Sequence, residues 1–134
     1  MNDEPGATIL GADQLVAFEG RIYGKPGSFD AAIDQLVVFA GKSHELITAL
    51  AIWDSGRLIE HTDVTTLTMR PLARDAIERY FAADRPIDCA GSYKLEERGI
   101  VLFERIETRD HTAVTGLPLI AATTILRDLG FAIP

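Results

Sequence analysis

The sequence predicts an α/β domain: a mixed, twisted sheet with helices packed on it. Runs of strand length alternate apolar with polar residues, turn signals fold two of them back as hairpins, and helical-period apolar stripes fall irregularly between them. That irregular order argues against a regular parallel βαβ series. The 134 residues suit one domain spanning 1–134, and a composition of 47% hydrophobic and 25% charged is that of a folding chain, not a disordered one.

Thr8 to Phe18 reads as a strand, mostly apolar but interrupted by Asp13 and Gln14, and the Glu19-Gly20 turn returns it through Arg21 to Tyr23. Gly24-Lys25-Pro26-Gly27 breaks the pattern. Ser28 is placed to cap a helix that carries Phe29, Ile33, Leu36, Val37 and Ala40 on one face, and Gly41 ends it. Residues 43 to 53 alternate as a strand up to the Asp54-Ser55-Gly56 turn, and Val64 to Arg70 forms the return strand, stopped by Pro71. Ala73, Ala76, Ile77, Tyr80 and Phe81 recur at helical spacing to about Ala82. Cys89 to Gly99 is a loop by composition, and Ile100 to Ile106 is a buried strand. Pro118 opens the last helix, with Ala122, Ile125, Leu126 and Leu129 along one face and Gly130 just beyond.

Thirteen basic against twenty acidic residues leave a formal charge of −7, which repels polyanions and argues against nucleic-acid partners. A small anionic ligand then needs local positive groups or a bridging metal. Cys89 is the single cysteine, which excludes an intramolecular disulfide and a Cys-based zinc site. No apolar run approaches the roughly 20 residues of a membrane span, and the acidic start Met1 to Gly6 lacks a signal-peptide pattern, so a cytoplasmic chain is expected.

Candidate chemistry concentrates in two places. A two-residue hairpin turn at Glu19-Gly20 sets position 14 opposite position 25, so Asp13, Gln14 and Lys25 meet near one end of the ladder. A carboxylate beside a cation there either holds a divalent metal or activates water while the lysine neutralises a phosphate, or is a structural ion pair. Ser92-Tyr93-Lys94-Leu95-Glu96-Glu97-Arg98-Gly99 is the second place. Its carboxylates either read the amino edge of a guanine or are ordinary solvated loop charge. His44, His61 and His111 fall in no metal-binding motif and read as structural or exposed, and no serine sits in a nucleophile-elbow context.

Several segments, in order, carry a more specific signal: Gly11-Ala12-Asp13-Gln14, Gly24-Lys25-Pro26, Cys89-Ala90-Gly91-Ser92-Tyr93-Lys94, Leu102-Phe103-Glu104-Arg105-Ile106-Glu107 and Val114-Thr115-Gly116-Leu117-Pro118-Leu119. Together they resemble the Maf family of nucleoside triphosphate pyrophosphatases, from about Thr8 to the C-terminus. The resemblance implies an inosine triphosphate pyrophosphatase-like fold, a homodimer, and hydrolysis of a nucleotide to monophosphate and pyrophosphate assisted by a divalent cation, Mg or Mn. It implies that Asp13 is the catalytic proton acceptor and a metal ligand, and that Lys25 is the lysine of the substrate-binding Gly-Lys-Pro loop. Gln14 and Glu96 match the pair found in the branch that cleaves 7-methyl-GTP, whereas the dTTP and UTP branch usually has Thr and Gln. Methylation at N7 makes guanine cationic, so a carboxylate partner gains Coulomb attraction besides hydrogen bonds.

The family also opens with a strand and a phosphate-binding Ser-x-Ser-x-Arg-Arg loop, and this chain is expected to start after them. The resemblance therefore leaves an active 7-methyl-GTP pyrophosphatase that clears modified nucleotides, with a catalytically impaired nucleotide-binding or regulatory protein as the alternative. Glu97 and Arg98 replace the Gly and the apolar or small residue usual in the family's loop, which makes Glu97 a competitor for the role of Glu96.

Overall fold

The computed structural model describes residues 6–134, so the acidic start Met1–Pro5 lies outside the described residues. Five strands form a single sheet in the order β2-β1-β3-β4-β5, with β1 Thr8–Phe18, β2 Arg21–Tyr23, β3 Ser43–Asp54, β4 Arg57–Met69 and β5 Phe103–Glu107. The helices are α1 Phe29–Phe39, α2 Arg74–Asp84, the short α3 His111–Val114 and α4 Leu119–Asp128. The expected α/β class is present. Strand direction is narrower than a mixed sheet allows, because every described ladder is antiparallel. Hairpins join β1 to β2 and β3 to β4, and antiparallel neighbours need only short turns.

Each hairpin is set by its turn. Glu19 and Gly20 both adopt positive φ, 48° and 78°, the handedness that matches strand twist, and Ser55 and Gly56 repeat it at 49° and 77°. In α1, the Ser28 side chain accepts the Ala31 N–H as expected, and Gly41 follows the helix at φ 73°. The buried face of α1 differs from the expected one: Ala32, Leu36 and Phe39 are buried, while Phe29 and Val37 are 42% and 39% exposed. Leu36 to Ala40 is an unbroken apolar run, so periodicity alone allows several faces and contact with the sheet selects one. The strand expected over Ile100 to Ile106 also starts later. Gly99–Leu102 forms a 3-10 turn with Ile100 and Val101 exposed, and the strand begins at Phe103.

Side chains alternate across β3, and His44, Leu46, Thr48, Leu50 and Ile52 all fall on its covered face. At one end, Leu46 joins Val16, Phe18, Leu36, Phe39, Leu67, Met69 and Ile77 in the main core under α1 and α2. At the other, Leu50 and Ile52 pack against Ala122 of α4. The two clusters leave a gap over the middle of β1 and β3, and the polar residues of the covered face, Gln14 and Thr48, stand opposite one another there. No helix among the described residues is long and apolar enough to cross a membrane.

Candidate active site

That gap opens into a cavity of about 300 Å³ whose lining includes Asp13, Gln14, Lys25, Asp88, Tyr93 and Glu96. Both sequence-identified segments therefore reach one site, although Lys25 and Glu96 are far apart along the chain. A second groove of about 410 Å³, between β4 and α4, holds none of the sequence-identified residues.

The β1–β2 ladder pairs Val16 with Tyr23 and Phe18 with Arg21 and ends there, so the expected pairing of position 14 with position 25 is not part of it. Among the described residues β1 has no ladder partner beyond Val16 on that side. At this edge the Gln14 N–H donates to Asp13 Oδ1 at 2.8 Å, which fixes the direction of one carboxylate oxygen. Among the described residues neither Asp13 nor Lys25 belongs to an ion pair. They share a cavity, and the static hairpin-end ion pair is not what the structure contains.

Gln14 faces the other way from Asp13, as successive strand residues must. Its Nε2 donates to Thr48 Oγ1 at 3.0 Å and to the Ala113 and Val114 carbonyls at 3.0 and 3.2 Å. Thr48 Oγ1 spends its own proton on the Ala113 carbonyl at 2.9 Å, so it can only accept from Gln14, which fixes the amide's orientation. The amide nitrogen is thus committed to holding α3 over the sheet, and the amide oxygen is the group left to meet a ligand.

Glu96 is exposed on a loop that is anything but loosely solvated. Tyr93 is buried beneath it, with its hydroxyl 2.9 Å from His44 Nε2. Ser92, fully buried at a positive φ of 68°, donates its hydroxyl to Gln35 Oε1 at 2.8 Å. Gln35 Nε2 in turn donates to the Gly24 carbonyl at 3.3 Å, so one α1 side chain ties the Lys25 loop to the Glu96 loop. The Gly27 N–H adds a bond to the Ile87 carbonyl at 3.1 Å, next to Asp88. Gly99 admits no side chain, because a Cβ there would stand 2.5 Å from the Lys94 carbonyl oxygen. Arg98, one of the two departures from the family's loop, points away from the cavity and pairs with buried Asp84 at 3.0 Å. Glu97 is exposed and is not among the cavity's lining residues.

Sequence reasoning missed Gln35 and Asp88, and it gave Tyr93 no individual role within the segments it singled out. Gln35 carries no motif of its own, and Asp88 was readable only as one more loop acid. Cys89 also lines the cavity, but burial, followed by the neighbouring Asp88 charge, pushes its thiol up to about 11. It stays protonated at neutral pH and is a poor nucleophile. Of the histidines, His44 is buried, His61 pairs with Asp63 at 3.0 Å and His111 is exposed, and none lines this cavity.

A divalent cation suits the donor chemistry. Asp13 and Asp88 offer hard carboxylate oxygens, but the described residues contain no group of three or more metal-ligating side chains.

The sequence matches the family described as Maf-like protein over residues 1–129. It is 51% identical over 120 residues to the 7-methyl-GTP pyrophosphatase of Bdellovibrio bacteriovorus, an alignment covering 90% of this chain and 64% of that protein. It is 41% identical over 130 residues to the 7-methyl-GTP pyrophosphatase of Xanthomonas oryzae pv. oryzae, covering 97% of this chain and 68% of the relative. The protein of the same name in Syntrophotalea carbinolica is 43% identical over 129 residues, covering 94% and 66%. The chain thus spans 64 to 68% of the length of these relatives. With a family match over nearly its whole length and relatives at this identity, the chain belongs to the Maf family.

Proposed function

We propose that this chain acts as a nucleoside triphosphate pyrophosphatase that hydrolyses 7-methyl-GTP to 7-methyl-GMP and pyrophosphate. The observation that carries the reading is the convergence of Asp13, Lys25, Gln14 and Glu96 on one cavity, in a chain whose relatives bear that activity in their names. In this reading the α–β phosphoanhydride breaks, the oxygen of water bonds to phosphorus, and Asp13 takes the proton released. Lys25 offsets phosphate charge in a chain that is otherwise strongly acidic. Glu96 accepts hydrogen bonds from the guanine edge, and the Gln14 amide oxygen supplies a second acceptor. Asp13 would hold a divalent cation, Mg or Mn, whose charge would help to neutralise the polyphosphate.

The reading extends to a homodimer, on the strength of the family resemblance, and to a cytoplasmic location; sedimentation of the purified chain tests the homodimer. Pyrophosphate release from 7-methyl-GTP and UTP, with Mg or Mn, tests the activity. Preferential turnover of 7-methyl-GTP, lost in Asp13→Asn, is the expected result. Equal turnover of both nucleotides would reject the assignment. Calorimetric binding of 7-methyl-GTP without product would instead favour a catalytically impaired nucleotide-binding protein.

A further inference from the structure

The segment that carries Glu96 hangs from the end of α2 at two points. Tyr80 and Asp84 stand four residues apart, hence on one face of the helix. Tyr80 Oη accepts the Lys94 N–H at 2.8 Å. Asp84 Oδ2 accepts the Arg98 N–H at 2.9 Å, and Oδ1 accepts from the Arg98 guanidinium at 3.0 Å. Tyr80 and Asp84 thus tether the segment independently, one at each end. Glu96 lies midway between the tethered positions 94 and 98. From inside, the Glu97 and Gly99 N–H groups close the turn onto the Lys94 carbonyl at 3.2 and 2.8 Å.

For stability alone, apolar packing could serve at this position as well. The Asp84 side chain has no exposed surface, and buried ion pairs seldom outperform apolar packing of the same size. It also sits in the last turn of a helix, where the backbone dipole disfavours negative charge, next to Arg85 in a left-handed conformation at φ 50°. A carboxylate there does what an apolar residue cannot: it holds a backbone N–H and a guanidinium of the same loop residue in fixed directions.

We propose that Asp84, with Tyr80 as a second tether, is a positioning residue that sets how Glu96 presents its carboxylate to the cavity, and so sets the preference for a cationic purine base over a neutral pyrimidine. The inference rests on the reading of Glu96 as the base-facing group, and it assigns a purpose to Arg98, the residue that departs from the usual loop.

The test compares wild type, Glu96→Gln, Asp84→Asn, Tyr80→Phe and the Asp84→Asn/Glu96→Gln double variant. The measurements are kcat/KM for 7-methyl-GTP and UTP, calorimetric affinity for 7-methyl-GMP and UMP, and amide exchange at Lys94 and Arg98. Asp84→Asn and Tyr80→Phe are each expected to lower the 7-methylguanine-to-uracil ratio about tenfold, through KM more than kcat, the scale of one weakened charged contact. Exchange at the two tethered amides quickens while core amides stay protected. In the Glu96→Gln background, Asp84→Asn adds nothing to the change in ratio. Tyr80→Phe removes a single hydroxyl and keeps the question answerable where Asp84→Asn does not fold. Equal losses for both nucleotides, or full additivity with Glu96→Gln, would overturn the proposal and leave a structural role. A wild type without preference for 7-methylguanine, or a Glu96→Gln variant that keeps it, would overturn the reading of Glu96 itself, and with it the proposal; both are seen before any Asp84 variant is measured.

Discussion

Acid should destabilise this protein through His44 in a way that a single substitution can isolate. The imidazole is 2% exposed, stacked on Phe39 at 4.6 Å, and hydrogen-bonded only through Nε2, with Nδ1 buried and unpartnered. Burial lowers its pKa to about 4 from an ordinary 6.5. The unfolded chain therefore takes up the proton first. The stabilising effect of the neutral ring is complete above pH 6.5 and is lost as pH falls toward 4. Across that window the loss reaches about 3 kcal/mol, a large share of the roughly 5–15 kcal/mol typical of a domain. Urea unfolding of wild type and His44→Phe at a series of pH values from 7 to 4 measures it. His44→Phe strands the Tyr93 hydroxyl, which costs about 1–3 kcal/mol at every pH, so the slopes and not the absolute stabilities carry the comparison. Asp84 and Asp110 titrate lower in both proteins. Burial would raise these carboxyls, but hydrogen bonds from Arg98 in one case, and from Thr112 and Ile120 in the other, hold them below the usual range. Wild type should lose about 3 kcal/mol more than the variant between pH 7 and pH 4; parallel curves would refute the reasoning.

Other perturbations follow from the same geometry. Gly99→Ala forces a Cβ to within 2.5 Å of the Lys94 carbonyl oxygen, so guanine-nucleotide affinity should fall with little change in core amide protection, measured by calorimetry and hydrogen exchange. Asp110→Ala removes the acceptor for the Thr112 N–H and hydroxyl and for the Ile120 N–H, at 2.9, 2.6 and 2.9 Å, and should lower unfolding free energy by about 3 kcal/mol in denaturant titration. Gln14→Thr loses the reach to the Ala113 and Val114 carbonyls, which should loosen α3, visible as faster exchange at its amides, and narrow the preference between 7-methyl-GTP and UTP. Leu36→Ala, at a fully buried position under the sheet, should cost about 2–5 kcal/mol by thermal or urea unfolding and leave the nucleotide preference of the surviving fold intact.

Much of this protein could be read before any coordinates. The Glu19-Gly20 turn set the hairpin register as far as Tyr23, and Lys25, two residues on, lines the same cavity as Asp13 and Gln14. Ser28 announced a helix start, and the alternation of β3 sorted its covered from its open face. These features depend on residues close in sequence, where turn chemistry and side-chain period act directly. The less local readings fared worse. The buried face of α1 was ambiguous because Leu36 to Ala40 is apolar throughout, and the start of β5 slipped because Ile100 and Val101 are apolar yet exposed.

What the sequence by itself determined is the fold class, the order of the elements and the residue types able to handle a phosphate and a base. What only the tertiary structure decided is how those residues cooperate: Gln35 bridging the Lys25 and Ser92 loops, Gln14 spending its amide nitrogen on α3, and Asp84 holding the Glu96 segment from a different helix. Hydrogen bonds between residues tens of positions apart exist only once packing has brought the elements together. A pattern read along the chain holds no term for them.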